Sequence, residues 1–372
     1  MEQNLQFIRP IDGDVLFSHA DGYTENDMLK TKITLSAPAG RTITINGILA
    51  VYTNGTYSAE ITLDAYRNCV EARCIESGET SSIYIYWFRD GYKTYRLGVD
   101  DVIWCLENIY KHQNTYTSLF DDPFLSIYRD LNQVYGTKVH MHIYYETEDG
   151  SFNLSMFPDK YKEEFRRNST WLKFTFHSRC NLPNSPYKNA PYELVMREGR
   201  QVEREIRRFA GEEVLSSVTS QHWADSGIYG TRAFRALGYK VIDGYFLFDQ
   251  NGEPYVSYYL NPDQTRHAHS RDFWVDNRED IIFVKDDIVI NEVELDGIDV
   301  YMDKLAAAED HCFMYLLIQE QYFYDFYRNY QPDYRDKIFK TVKWCVDHGY
   351  RTTFISDIAF EKKLNAKDKT NI

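Results

Sequence analysis

The sequence has no apolar run long enough to span a bilayer, and none that reads as a secretory leader. It opens on the polar residues Met1, Glu2, Gln3 and Asn4 with no hydrophobic segment behind them. The expectation is a cytoplasmic protein without membrane insertion, or a periplasmic or secreted one if a leader has been removed. No two of the six cysteines (Cys69, Cys74, Cys105, Cys180, Cys312, Cys345) stand in CxxC spacing, so neither a thiolate zinc site nor a disulfide framework is indicated. Neither GxGxxG nor GxxxxGK[ST] occurs, which removes the common nucleotide-binding signatures. Positive charge is also short. Forty-two basic residues face 56 acidic ones, a net charge of −14, which argues against nucleic acid and against anionic membrane surfaces. The one dense basic stretch, Arg197 to Arg208, is interleaved with Glu198, Glu203 and Glu205 and reads as a solvated helix face. Nothing in the chain indicates an oligomeric state.

Aromatic residues are plentiful: 31 Tyr, 22 Phe and 6 Trp, 16% of 372 residues. Aromatic faces suit sugar rings, although Tyr and Phe also simply fill cores. Residues 1–91 carry short alternating runs, such as Thr31 to Leu35 and Tyr57 to Leu63, with the hairpin signal Asn54-Gly55 between two of them. This predicts a small all-β sandwich. After Asp90-Gly91 the pattern becomes strand, helix, strand, helix. Asp122-Pro123 opens a helix that Gly136 closes, and near-continuous apolar runs such as Phe313 to Ile318 suit strands covered on both faces. Seven or eight such strands predict a closed or nearly closed (β/α)7–8 barrel over 92–361. An open doubly wound sheet is the alternative. A polar, lid-like insert is expected at about 251–280 and a polar tail at 362–372.

Barrels work at the C-terminal ends of their strands. The polar residues there are Asp100 and Asp101, then His140, His142 and Glu146, then His177 and Arg179, then His222 beside Trp223, and finally Gln319 and Glu320. Adjacent carboxylates on an extended chain point to opposite sides, so one of the aspartates is free to bind a metal while the other meets substrate, or one simply caps a helix. His177 and His222 each have an ordinary packing explanation. With one aspartate they make a His₂Asp set that leaves a position open for water, the composition of a catalytic zinc or other divalent site.

Four stretches, YRLGVDDV at 95–102, LKFTFHSR at 172–179, SVTSQHW at 217–223 and FMYLLIQEQYF at 313–323, resemble the polysaccharide deacetylase superfamily, the NodB-like carbohydrate esterases. The residues before them resemble an Ig-like sandwich. The resemblance implies a distorted (β/α)7 barrel, a divalent metal, zinc by its ligand chemistry, and a carbohydrate substrate losing N- or O-acetyl groups. By position Asp100 matches the family's general base and Asp101 its metal ligand. His177 matches the first histidine ligand. The second falls on Asn181, so His222 is inferred as its replacement. The family's terminal histidine acid is missing, which leaves Glu320, or His140, as the proton donor. Trp223, Arg179, Glu146, Tyr322 and Phe323 are then the expected substrate contacts. Two other functions fit the residues: a glycoside hydrolase pairing Asp101 with Glu320 or Glu146, and a non-catalytic carbohydrate-binding protein.

Overall fold

The computed structural model describes residues 5–308 and 311–361. The opening Met1 to Asn4 and the expected tail at 362–372 lie outside the described residues. The chain divides into two compact units, one of residues 5–92 with 355–361, the other of residues 93–354.

In the first unit the alternating runs become two five-stranded sheets. Met28–Ser36 pairs antiparallel with Thr56–Leu63, and Arg67–Cys74 with Thr80–Trp87. Inward residues of both sheets, among them Leu29, Ile33, Ile61, Val70 and Ile85, form one core. The hairpin at Asn54-Gly55 forms as the residues demand, with φ of 53° and 85°.

Apart from a short hairpin pairing Leu247–Phe248 with Pro254–Tyr255, the second unit has strands β1 (Thr94–Val102), β2 (Val139–Tyr144), β3 (Leu172–Ser178), β4 (Val218–Thr219), β5 (Val241–Gly244), β6 (Phe273–Asp276), β7 (Ile281–Lys285), β8 (Ile288–Val289), β9 (Phe313–Gln319) and β10 (Arg351–Thr352). One sheet is parallel, in the order β3-β2-β1-β9-β8, with β10 also on β1. The other runs β4-β5-β7-β6 and ends on the antiparallel β6. They adjoin at two seams. At one, Phe174 bridges to Leu215. At the other, the Asp286 N–H donates to the Gly244 carbonyl (3.0 Å) and the Asp287 N–H to that of Tyr315 (3.2 Å). The expected closed barrel is therefore a barrel-like wall of mixed topology made from two sheets.

Side-chain alternation gives this wall two unlike faces. Tyr95, Leu97 and Val99 of β1, Met141 and Ile143 of β2, and Leu316 and Ile318 of β9 pack outward in the main hydrophobic core. The intervening residues meet on the other side: Arg96 contacts Asp243, His140 and His142. Gly98 belongs to that face because a Cβ there would lie 2.9 Å from the Tyr315 hydroxyl.

Helix α1 (Trp104–Lys111) follows β1 closely, and α2 (Pro123–Tyr135) has Asp122 as N-cap, accepting from the Leu125 N–H at 2.9 Å, with Gly136 at φ 70° as its stop. Two expectations change. The segment 251–280 is not a polar lid. It contains the helix Pro262–His269 and strand β6, and Tyr258, Leu260, Ala268 and Trp274 pack with Ile242 and Phe283. The helix Tyr192–Phe209 is not a solvated charged face either. Glu198, Glu203 and Glu205 are buried, Glu198 accepting from the Tyr187 hydroxyl (2.8 Å) and Glu205 from Arg208 (2.7 Å), while the arginines reach outward. No described helix is long and apolar enough to cross a membrane, and all six cysteines are free.

Candidate active site

Both aspartates at the end of β1 face the same mouth, contrary to the alternation rule. The register of β1 on β2 slips between Val99 and Val102, and Asp101 takes φ +64°, a left-handed conformation that a non-glycine residue adopts at some cost. The bulge turns Asp101 back beside Asp100. Strained backbone of this kind collects at functional sites.

Asp101 Oδ1 lies 3.2 Å from His177 Nε2 and 3.3 Å from His222 Nδ1, and the two ring nitrogens are 3.2 Å apart. The far nitrogen of each ring faces a backbone carbonyl: His177 Nδ1 donates to Ser220 O (2.5 Å) and His222 Nε2 to Asn181 O (3.0 Å). Carbonyls only accept, so each of these far nitrogens carries a proton, while Nε2 of His177 and Nδ1 of His222 face Asp101; they become lone pairs available to a metal once His177 gives up its second proton. Tyr144 completes the rim, its hydroxyl donating to Asp101 Oδ1 and standing 3.0 Å from His222 Nδ1.

Asp100 meets a different set of partners. Its Oδ2 accepts from the Ser220 hydroxyl (2.8 Å) and its Oδ1 from His142 Nδ1. Behind it, Arg96 Nη2 reaches His142 Nε2 at 2.6 Å and His140 Nδ1 at 2.9 Å. A guanidinium only donates, so both imidazoles accept from it, and His142 must carry its proton on Nδ1, toward Asp100. Arg96 Nη1 also pairs with buried Asp243 at 3.3 Å.

Burial opposes charge on Asp100, Asp101, His177 and His142, and the partners decide the outcome at the first three. His177 and His142 outweigh burial at Asp100 and hold its carboxyl below the usual range; His177 and His222 hold Asp101 far below it. Burial likewise disfavours a charged His177, but Asp100 and Asp101 raise it to about 9. Burial prevails at His142, pushed down to about 4 despite Asp100. Both aspartates are thus carboxylates at neutral pH and His142 is neutral. A metal ion would have to displace the His177 proton.

The donor set fits such an ion. Tetrahedral bonds of about 2.0–2.1 Å place ligands about 3.3–3.4 Å apart, and the Asp101–His177–His222 triangle already has edges of 3.2–3.3 Å. A second group, Asp100, His142 and His177, shares His177 with it. A third, Asp272, Asp287 and His311, lies at the seam between the sheets. There Asp272 Oδ2 accepts from the N–H groups of Cys312 and Phe313, Asp287 Oδ2 accepts from that of Tyr315, and His311 Nδ1 meets Asp272 Oδ1 at 2.7 Å. This group stitches β9 to the second sheet.

Several expected residues have other work. Glu320 is fully buried and accepts from the N–H groups of Ile103 (2.6 Å), Trp104 (2.8 Å) and Cys105 (2.7 Å), capping α1 from a distant strand. With both oxygens taken up by these N–H groups, Glu320 does not serve as the proton donor. Replacing it by alanine should lower stability by about 1–3 kcal/mol through the orphaned N–H groups, a fall in Tm of roughly 2–10 °C, without changing turnover per folded molecule; thermal unfolding and a rate assay check both. His140 is buried on Arg96 and Thr175 below the mouth, away from a leaving group. Phe323 packs edge-on to Phe124, Tyr324 and Tyr334 rather than lining the mouth. Glu146 pairs with Arg179 at 2.8 Å on the surface. Trp223 stands 40% exposed beside His222 with φ 69°, and burial, with smaller contributions from nearby charges, raises the pKa of the Tyr322 hydroxyl. Arg96 and Ser220 have no place among the sequence-predicted site residues, and His142 and Tyr144 are legible there only as strand-face neighbours of His140. Their signal was alternation: Arg96 shares a face with Asp100, and residues 140, 142 and 144 share one strand face.

No protein-family model matches the chain, and no curated protein matches it. Among solved structures it overlays on "Bc1960 peptidoglycan N-acetylglucosamine deacetylase in complex with 4-naphthalen-1-yl-N-oxidanyl-benzamide", with 12% identity over 72% of this chain and 88% of that one, at a TM-score of 0.37. So loose an overlay says nothing about chemistry. What the chain itself carries is an α/β barrel-like unit with His/Asp groups able to hold a metal.

Proposed function

We propose that this chain is a metal-dependent carbohydrate deacetylase that removes N- or O-acetyl groups from a polysaccharide. The observation that carries the reading is the Asp101–His177–His222 triangle, with its 3.2–3.3 Å edges and both distal ring nitrogens tied to carbonyls. A divalent ion, zinc by this donor chemistry, would when bound supply Lewis-acid polarisation of water and of the acyl carbonyl.

The remaining work falls to the chain's own side chains. Asp100 is held as a carboxylate beside the triangle and takes the proton of the attacking water. His142 and Ser220 hold its two oxygens, and Arg96 holds His142, so the base cannot swing away. Tyr144 orients Asp101. Trp223, with Tyr322 and Arg179 further out, offers the sugar a flat face and a charged rim. We read the two-sheet front unit as an Ig-like module.

A second reading has one observation in its favour. With Glu320 committed to a helix end and His140 below the mouth, neither nominated proton donor reaches a leaving group. A carbohydrate-binding protein without turnover would need none. Paired-carboxylate glycoside hydrolysis loses its Glu320 partner on the same ground. The discriminating experiment is acetate release from acetylated oligosaccharides with and without added zinc. Release that requires the metal is expected; saccharide binding with no release under either condition would favour the binding protein.

A further inference from the structure

A cavity of about 470 Å³ is lined by residues that follow the strands carrying the site, outside the residues assigned above to metal or base. Its volume falls within the range of small-ligand sites, roughly 300–1,000 Å³. The two elements that follow β1 and β9 build its walls. Trp104 begins α1 three residues after Asp101, and Tyr324, Phe326 and Tyr330 belong to the loop that leaves β9.

Phe326 is 68% exposed and Tyr330 43%. The rings are arranged rather than scattered. Trp104 stands 5.0 Å from Phe326 and 5.3 Å from Tyr324, and Tyr324 stands 5.3 Å from Phe326. Beneath this wall lie hydrogen-bonding groups: Asn108 donates to Asp122 at 2.7 Å, and Lys111 pairs with Glu107 at 2.8 Å. Flat apolar faces over a polar floor match a pyranose, which is apolar on its ring faces and rich in hydroxyls at its edges. The lining charge then narrows the class. Glu107, Asp122 and Asp325 stand against Lys111 alone, so anionic sugars are repelled.

We propose that this cavity is a saccharide subsite for the neutral or amine-bearing sugar units next to the one held at the Asp101–His177–His222 triangle. The inference rests on the carbohydrate reading of that site. Trp104 and Tyr324 support the fold, so the exposed Phe326 and Tyr330 carry the test. Binding of an N-acetylglucosamine pentasaccharide, of its monosaccharide and of an oligogalacturonate would be measured by calorimetry on the full chain, wild type, Phe326→Ala and Tyr330→Ala, with zinc and with a chelator. The expected result is pentasaccharide binding weakened about tenfold by Phe326→Ala, weakened also by Tyr330→Ala, with unchanged monosaccharide binding and no oligogalacturonate binding. Pentasaccharide affinity that is absent from the wild type, or equal in wild type and both variants, overturns the subsite; so does tight oligogalacturonate binding. The two proposals fail separately. Phe326-dependent binding without any zinc-dependent acetate release keeps the subsite and removes the deacetylase. Zinc-dependent release with no effect of Phe326→Ala does the reverse.

Discussion

Replacing His177 by alanine should leave a folded chain that no longer holds a divalent ion. Losing only an outer partner of a metal ligand costs about 10- to 100-fold in affinity, so losing the ligand itself should cost more than about 100-fold. The wild-type nitrogen is well prepared: Ser220 O holds Nδ1, and Nε2 points at Asp101. The substitution also removes a buried charged partner of both aspartates, so their carboxyls should return toward higher pKa values. Metal content by mass spectrometry after zinc repletion and desalting checks the claim. Full zinc occupancy in His177→Ala would mean that the triangle is not the metal centre.

Asp100→Asn should produce the complementary result: normal zinc content and acetate release reduced about a hundred- to ten-thousandfold, the usual contribution of a positioned general base. Asparagine keeps the shape of Asp100 and can still accept from Ser220 or His142, so the network should survive while the proton acceptor is lost. A paired measurement of metal content and single-turnover acetate release distinguishes base from ligand. Loss of metal together with activity would move Asp100 into the coordination sphere, alongside His142 and His177, the second His/Asp grouping. Unchanged turnover would remove it as the base.

How much of this could be read from the sequence depended on whether the determinant was local. The hairpin at Asn54-Gly55 and the ends of α2 at Asp122 and Gly136 follow from backbone preferences of single residues. Strand alternation, correctly applied, places His140 and His142 on one face. Alternation also puts Arg96 on the face of Asp100, a placement that looks unreasonable for an arginine until its partners Asp243, His140 and His142 are known. The bulge at Asp101 was illegible, because a left-handed aspartate has no sequence signature; only the register of β1 against β2 reveals it. Glu320 misled for a related reason. A carboxylate at a strand end is equally suited to chemistry and to a helix end, and which N–H groups it meets depends on packing 215 to 217 residues away in sequence. The insert at 251–280 looked polar because its apolar residues, Tyr258, Leu260 and Trp274, are spaced too irregularly to show a period, yet they find Ile242 and Phe283 in the second sheet.

The buried Arg96 network also explains why so many ionisable groups coexist at one mouth. Arg96 is a permanent cation bonded to one carboxylate and two neutral histidines, and it keeps His142 oriented toward Asp100 without charging it. Breaking such a pair on one side leaves an uncompensated buried charge. The site is therefore held by its floor as much as by its rim.

X-ray absorption at the zinc edge of the repleted full chain is the measurement closest to the central claim. The account predicts one zinc per chain with two imidazole nitrogens and one carboxylate oxygen at about 2.0–2.2 Å, and the loss of one imidazole in His222→Ala. A chain that takes up no zinc, or whose zinc spectrum is the same in wild type and His222→Ala, would contradict it.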